Sequence, residues 1–387
     1  MRFGSRRTIL SATGILAVCL LAAAFASGQA GQEPRPQMSE EVFKNVTVLK
    51  GIPVDEFMST MGMFAAAVSL NCIDCHVPES VQSLAKFAED TPIKRTARRM
   101  TLMVQAINKT NFGGRPVVTC WTCHRGEAGP AKGVPNLTIQ YSAPPEDANE
   151  VEVIKQAPNA PTPDQVFAKY IQAAGGAQRV NGLTSITGKG MYDGWDTDHV
   201  KVGFEVYTKA PAQRTTVVHM NVEGHVEDSV RTYDGRMAWV ASPDKPLPLL
   251  PLTGGNLDAA KTEAILFFPA TIQKSFTLWK TGAATIDDKD VVLVQGTTAA
   301  KTPIKLYFDA KSGLLTRALY YADTVIGRVP TQIDIEEFKE VSGVKIPSKW
   351  TSTWTDGQGH FDMGQMQVNA AVDAAKFNKP APAPVHN

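Results

Sequence analysis

Two Cys-x-x-Cys-His pentapeptides constrain this chain more than any other feature: Cys72-Ile-Asp-Cys75-His76 and Cys120-Trp-Thr-Cys123-His124. This spacing is the attachment signature of a c-type haem, in which two thiols become thioether links and the adjacent His becomes the proximal iron ligand. On a helix, positions i, i+3 and i+4 share one face. Each Cys/Cys/His set is therefore predicted to face one haem plane. The chain has five cysteines. Four lie in the motifs and the fifth, Cys19, sits in an apolar leader, so none is left for a structural disulfide. Two other readings compete, a Cys-x-x-Cys redox pair and half of a zinc site. A redox pair does not need the adjacent His, and a structural zinc pools four ligands. The pattern predicts two covalently bound haem c groups, attached through Cys72, Cys75, Cys120 and Cys123. The iron ligands would be His76 and His124.

Residues 1–30 read as a secretory signal peptide. Arg2, Arg6 and Arg7 form a basic start, residues 9–25 are apolar, and small residues follow at Ala26-Ser27-Gly28. The apolar run is short for a membrane span, which needs about 20 residues. Val18 stands where a lipoprotein signal wants a small residue before Cys19. Export agrees with covalent haem, which is attached outside the cytoplasm, and predicts a periplasmic or cell-envelope protein. A chain of 387 residues with net charge +1 suggests two domains and no strong field for nucleic acid. Seven prolines between 127 and 163 mark a semi-rigid linker. The predicted organisation is a signal peptide to residue 30, a haem domain over 38–126, the linker, a β domain over 164–378 and a disordered tail over 379–387.

The haem region reads as helical. Phe57, Met58, Met61 and Ala65 fall at helical spacing within 54–68. Pro92 permits a helix start at Thr91, after which Ala97, Met100, Met103, Val104 and Ile107 form one apolar face. Asn111-Phe-Gly-Gly114 ends that helix. Each proximal His leaves one axial iron position, for which methionine sulfur is the natural soft ligand. Spacing does not choose among Met58, Met61, Met63, Met100 and Met103, and each is equally readable as core filling. Lys94, Arg95, Arg98 and Arg99 form a basic cluster beside Met100. Arg98 and Arg99 are candidates for pairing with haem propionates, and the alternative is a solvated helix face.

Residues 41–126 resemble the cytochrome c subunit of bacterial photosynthetic reaction centres. The resemblance runs through Asn45-Val-Thr-Val-Leu-Lys-Gly51, Glu56-Phe57, Met61, the first haem motif, Ala97-Arg98-Arg99-Met100, Gln105-Ala-Ile-Asn108 and Val118-Thr-Cys120-x-Thr-Cys123-His124-Arg125-Gly126. It implies that Met61 caps the first iron and Met100 the second, and that Met58, Met63 and Met103 are packing residues. The photosynthetic subunit carries four haems, whereas this chain has two motifs. It also lacks the extra His that the family's bis-His haem draws from the loop before a motif. The resemblance therefore implies a free-standing dihaem unit with a redox partner protein.

The rest of the chain changes period. Thr162-Pro163-Asp164 starts a helix that Gly175-Gly176 closes. After it, Val202/Phe204/Val206 and Ile304/Leu306/Phe308 alternate with more polar neighbours. Turn signals recur at Asp193-Gly194, Asp234-Gly235, Ser312-Gly313, Ser342-Gly343 and Asp356-Gly357. Residues 257–268 read as an interior helix ended by Pro269. The expected fold class is α+β multidomain. A small α-helical dihaem domain is followed by an antiparallel β half-barrel with one or two packed helices. The segments 308–315 and 338–347 are similar to hairpins of periplasmic lipoprotein carriers and lipoprotein-sorting domains. That likeness implies a concave apolar groove for a lipophilic ligand or quinone, with Trp195, Trp239, Phe267, Phe268 and Trp279 as candidate lining or as ordinary core.

Three functions follow from these residues. The first is an exported dihaem electron carrier with closed His/Met irons. The second is a peroxidase-type dihaem enzyme, which needs one open iron and an acid-base group beside it. The third is a lipophile-binding envelope module. The sequence contains no nucleophile, phosphate-loop or zinc-protease motif, and no catalytic residue is assigned.

Overall fold

The computed structural model describes residues 35–129, 148, 151–222 and 224–384. The leader with Cys19 and most of the proline-rich linker lie outside the described residues.

The N-terminal part is helical. It contains α1 (Ser39–Val42), α2 (Val54–Val68), α3 (Cys72–Cys75), α4 (Pro92–Asn111) and α5 (Cys120–His124). Asp55 and Glu56 occupy the first turn of α2, and left-handed Ser69 ends it. Helix α4 begins where the sequence predicts. The Thr91 side chain accepts a hydrogen bond from the Lys94 N–H, and Pro92 takes the first position, where no amide donor is needed. It ends where Gly113 and Gly114 adopt positive φ, with the Gly114 N–H bonded to the Asn108 carbonyl.

The C-terminal part holds β1 (Ser185–Gly194), β2 (Val202–Lys209), β3 (Gln213–Val222), β4 (His225–Tyr233), β5 (Ala238–Ala241), β6 (Leu250–Leu252), β7 (Thr277–Ile286), β8 (Lys289–Thr297), β9 (Pro303–Asp309), β10 (Leu315–Thr324), β11 (Gly327–Val341), β12 (Val344–Trp354) and β13 (Gly357–Val368). They form a 13-stranded antiparallel sheet in the order β6-β5-β4-β3-β2-β1-β13-β12-β11-β10-β9-β8-β7. Two meanders, β1 to β6 and β7 to β13, are joined where β1 (Ser185–Gly194) pairs with β13 (Gly357–Val368). Strand β2 (Val202–Lys209) buries every second residue, the predicted period-two pattern. Helices α6 (Pro163–Ala173), α7 (Ala177–Asn181), α8 (Gly254–Leu266) and α9 (Pro269–Ser275) accompany the sheet. Four helices stand where one or two were expected. Pro269 ends the interior helix as predicted, but it also starts α9, because its fixed φ suits a first helical position. Asp193-Gly194 forms no hairpin. It closes β1, and a 3₁₀ turn at Trp195–Thr197 follows.

The sheet curls around α8. That helix packs on β10 (Leu315–Thr324) and also on β3 (Gln213–Val222) and β4 (His225–Tyr233). Strands β3 and β10 are six steps apart in the sheet. A flat sheet would separate them by about 29 Å at ~4.8 Å per strand, far wider than a helix of about 10–12 Å. The fold is thus α+β in two parts, with a half-barrel closed over one helix. Trp239, Phe267 and Phe268 are sealed in the core, and Trp279 is half-buried. Trp195 is 63% exposed on its 3₁₀ turn, so the five aromatic candidates do not line one groove.

The helical part docks on this sheet through α2. Met63 is buried with Ala322, Ile326 and Val329, on β10 and its hairpin to β11 (Gly327–Val341). Asp55 is 2% exposed. Its carboxylate accepts hydrogen bonds from the Thr253 N–H (2.6 Å), the Thr253 hydroxyl (2.8 Å) and the Asn256 amide (3.2 Å). Thr253 is the N-cap of α8 and its own side chain makes no cap bond. Asp55 therefore supplies the anion that the helix start favours. Beyond the linker's centre, Gln156 exchanges hydrogen bonds with Thr281 of β7 (Thr277–Ile286), so its final stretch is fastened to the sheet. The tail differs from the expected disorder as far as residue 384. Ala383 is buried, and its N–H donates to the Pro248 carbonyl at 2.7 Å. Residues 385–387 lie outside the described residues. No helix among those described is long and apolar enough to cross a membrane.

Candidate haem-binding site

The first motif forms a single turn. Asn71 caps α3 by accepting from the Ile73 and Asp74 N–H groups, and Asp74 accepts the Asn71 N–H in return. The helix stops at Cys75, and His76 is already extended, although its N–H still reaches the Cys72 carbonyl at 2.9 Å. Val77, which precedes Pro78, is extended as well, so the helix does not resume. The second motif keeps its His inside α5. The shared-face prediction thus holds for Cys120, Cys123 and His124, while the first triad relies on a helix end.

Helix α4 braces both motifs. At its start, the Thr91 hydroxyl donates to the Cys75 carbonyl at 2.6 Å. Near its end, the Asn108 amide donates to the Val118 carbonyl at 2.7 Å, and its oxygen accepts the Val118 N–H at 2.8 Å. Asn108 thereby holds the segment entering α5. Sequence reasoning did not single out this role. Its signal is a polar residue in the buried stripe Thr101, Val104, Asn108. After α5, Arg125 and Gly126 adopt positive φ and the Gly126 N–H bonds the Ala67 carbonyl at 2.9 Å, tying the second motif to α2.

The two histidines sit in different surroundings. His124 Nδ1 lies 3.0 Å from the Glu127 carbonyl. A carbonyl only accepts, so Nδ1 carries the proton in this contact, and Nε2 is the nitrogen that would face an iron. His76 packs edge-on against Phe87, with ring centroids 4.9 Å apart. Burial lowers its pKa, Lys94 and Arg98 add to that, and a backbone hydrogen bond at Phe87 opposes it. Its Nδ1 is buried with no hydrogen-bond partner among the described residues.

The cysteines do not resemble an activated redox pair. Burial raises the pKa of the Cys75 and Cys120 thiols, the opposite of what a reactive thiolate requires. Among the described residues, no three or more His, Cys, Asp and Glu side chains converge as a metal site, so the motifs do not pool into one zinc centre. Exposed apolar side chains gather around the motifs instead: Ile73, Leu84, Ile93, Met100, Met103 and Trp121. Paired thiols, an adjacent imidazole in each motif and exposed apolar surface fit a covalently held porphyrin.

The methionines separate by environment. Met63 is packed against the sheet, while Met58 and Met61 are half-buried on α2. Met100 and Met103, 39% and 44% exposed, stand outside the buried stripe of α4, so the predicted apolar face divides into a buried part at Val104 and an exposed part. The basic cluster divides too. Arg98 donates to Asp90 (2.7 Å) and to the Asn45 carbonyl (2.8 Å), and Lys94 donates to the Phe87 carbonyl (2.5 Å). Both therefore brace the loop that carries Phe87, on the His76 side. Arg99 is exposed and bonds the Thr96 hydroxyl at 2.9 Å. Successive residues turn by about 100° on a helix, which separates Arg98 from Arg99.

Residues 18–190 match the family of the photosynthetic reaction centre cytochrome C subunit. The subunit of Thermochromatium tepidum is 38% identical over 96 residues, which is 24% of this chain and 22% of its own length. That of Roseobacter denitrificans is 30% identical over 110 residues, 26% of this chain and 29% of its own. The chain thus spans less than a third of these curated relatives. The family match implies covalent haem c, with which the cysteine pairs 72/75 and 120/123 are consistent. Two solved structures align with the β part at low overall similarity. A LolA superfamily protein from Nitrosomonas europaea covers 57% of this chain and 99% of its own length at 15% identity and TM-score 0.39. An outer membrane lipoprotein-sorting protein domain from Vibrio parahaemolyticus covers 55% and 97% at 9% identity and TM-score 0.38.

Proposed function

We propose that this chain is an exported dihaem c-type cytochrome that transfers electrons in the periplasm or cell envelope. The observation that carries the reading is His124. Its Nδ1 proton is committed to the Glu127 carbonyl, which leaves Nε2 for iron beside two tethering thiols. Haem iron, when bound, supplies one-electron exchange between its ferrous and ferric states. Cys72 and Cys75 would tether the first group and Cys120 and Cys123 the second. His76 and His124 would be the proximal ligands, with Met61 and Met100 closing the remaining positions. Closed irons leave no coordination site for a substrate, which favours an electron carrier over a peroxidase-type enzyme. Arg99, with its guanidinium exposed, is the better placed propionate partner, and Arg98 would serve mainly as the brace of the Asn45 and Asp90 loop.

The β part would position the haem region for its redox partner, since α2 is bolted to α8 through Asp55. A lipophilic ligand or quinone at the half-barrel is the second binding reading, and extraction of the purified protein followed by mass spectrometry tests it. The main reading is tested by expressing the full chain in a periplasm that matures c-type haem. Intact mass and haem absorbance are expected to give two covalent haems per chain. Cys72→Ala/Cys75→Ala and Cys120→Ala/Cys123→Ala variants should each retain one. A chain that matures without covalent haem refutes the proposal.

A further inference from the structure

Between Thr91 and Gly126 the sequence holds seven Lys and Arg residues and no Asp or Glu. Two of the seven, Lys94 and Arg98, are consumed by the loop before α4. The others, Arg95, Arg99, Lys109, Arg115 and Arg125, are exposed, and none forms an ion pair among the described residues. On α4 the spacing 95, 99, 102, 106, 109 follows one face (i, i+4, i+7, i+11, i+14). That face lies opposite the buried stripe Thr101, Val104, Asn108. It presents Arg95, Arg99 and Lys109 around Leu102, which is 54% exposed. The stripe is flanked on the same helix by Met100 and Met103.

We propose that this outward stripe of α4, continued by Arg115 at the turn, is the docking surface for an acidic redox protein. The inference rests on the haem reading for its function but not for its chemistry. A cationic rim around an apolar residue is the arrangement that steers an oppositely charged partner and then excludes water at contact. One-signed charge with no interspersed acid distinguishes the stripe from an ordinary solvated helix face, where both signs alternate. An anionic lipid surface would meet the same charges. The narrow stripe favours a protein, because Leu102 is the single large apolar residue on it and a membrane-surface helix needs a broad apolar face.

The test uses the mature full-length protein and the triple variant Arg95→Glu/Lys109→Glu/Arg115→Glu, which leaves Arg98 and Arg99 in place. Ferricyanide, an anionic oxidant, and tris(phenanthroline)cobalt(III), a cationic one, are mixed with the reduced protein at rising ionic strength. The ferricyanide rate is expected to fall about tenfold between low and physiological salt. In the variant it should lose that dependence and drop by about tenfold at low salt, while the cobalt complex reacts faster. Labelled polyglutamate should bind the wild-type chain and not the variant, and this readout does not need haem. Absence of haem in the wild type would thus sink the electron-transfer reading while leaving the surface measured. Unchanged rates and unchanged polyglutamate binding would overturn the docking proposal. So would charge-dependent binding to phosphatidylglycerol vesicles without any change in the oxidant rates.

Discussion

Asp55 joins helix α2 to the β part, and replacing it has a calculable cost. Its carboxylate receives three hydrogen bonds from Thr253 and Asn256 at the start of α8, a helix without a side-chain cap of its own. Asp55→Ala removes the acceptor of the half-buried Thr253 amide and of the Asn256 amide N–H, at about 1–3 kcal/mol for each group. Loss of the anion at the helix start adds roughly 0.3–1 kcal/mol. Burial of the carboxylate already works against the native state, because it raises the Asp55 pKa despite those bonds. Relief of that strain offsets part of the loss, and the net expectation is about 2–4 kcal/mol. Asp55→Asn keeps one acceptor and carries no charge, so it should cost about half as much. The sign of the pH dependence follows from the raised pKa. Between the unfolded and folded pKa values the native state binds the extra proton, so the contribution is full below that window and is lost as pH rises through it. The wild type should therefore lead Asp55→Asn by more at acid pH than at neutral pH. Urea denaturation followed by tryptophan fluorescence and haem absorbance reads both quantities. A loss under about 0.5 kcal/mol in Asp55→Ala, or a larger lead at neutral pH, refutes the account of this contact.

Three further outcomes are expected. Glu263 neutralises the buried Arg214 and the partly buried Arg231, and it accepts the Tyr320 hydroxyl at 2.9 Å. Glu263→Ala should cost about 3–5 kcal/mol, because it strands buried cationic charge, and denaturant midpoints measure it. Gly190 sits at the bulge where β1 meets β13, and a Cβ there would lie 1.9 Å from the Asp362 carbonyl. Gly190→Ala should therefore destabilise by about 3 kcal/mol or more, visible as a lowered Tm. Asn108→Ala should cost about 2 kcal/mol and reduce haem attachment at Cys120 and Cys123 relative to Cys72 and Cys75, read by mass spectrometry of haem peptides.

Local signals in the sequence were sufficient where the physics is local. Thr91 and Pro92 locate the start of α4, and Ser312-Gly313 and Ser342-Gly343 locate hairpins, because backbone sterics alone decide those positions. The two Cys-x-x-Cys-His motifs are legible for the same reason, since five consecutive residues carry each pattern. The β1 and β13 seam joins residues more than 150 positions apart, and nothing local announces it. Asp55 looks like an ordinary first-turn acid, and only its contact with Thr253, 198 residues away, reveals the bolt. The division of Arg98 from Arg99 was within reach of helical periodicity. Adjacency in sequence had grouped side chains that the helix turns apart.

The central claim is that two irons are each closed by one His and one Met. The most direct measurement is the absorption spectrum of the mature protein, ferric and ferrous, with and without carbon monoxide. The account predicts two haems per chain, a methionine-to-iron charge-transfer band and no spectral change with carbon monoxide. It also predicts that part of the band is lost in Met61→Ala and part in Met100→Ala. A carbon monoxide shift in the unmutated protein, or a band indifferent to both substitutions, contradicts it.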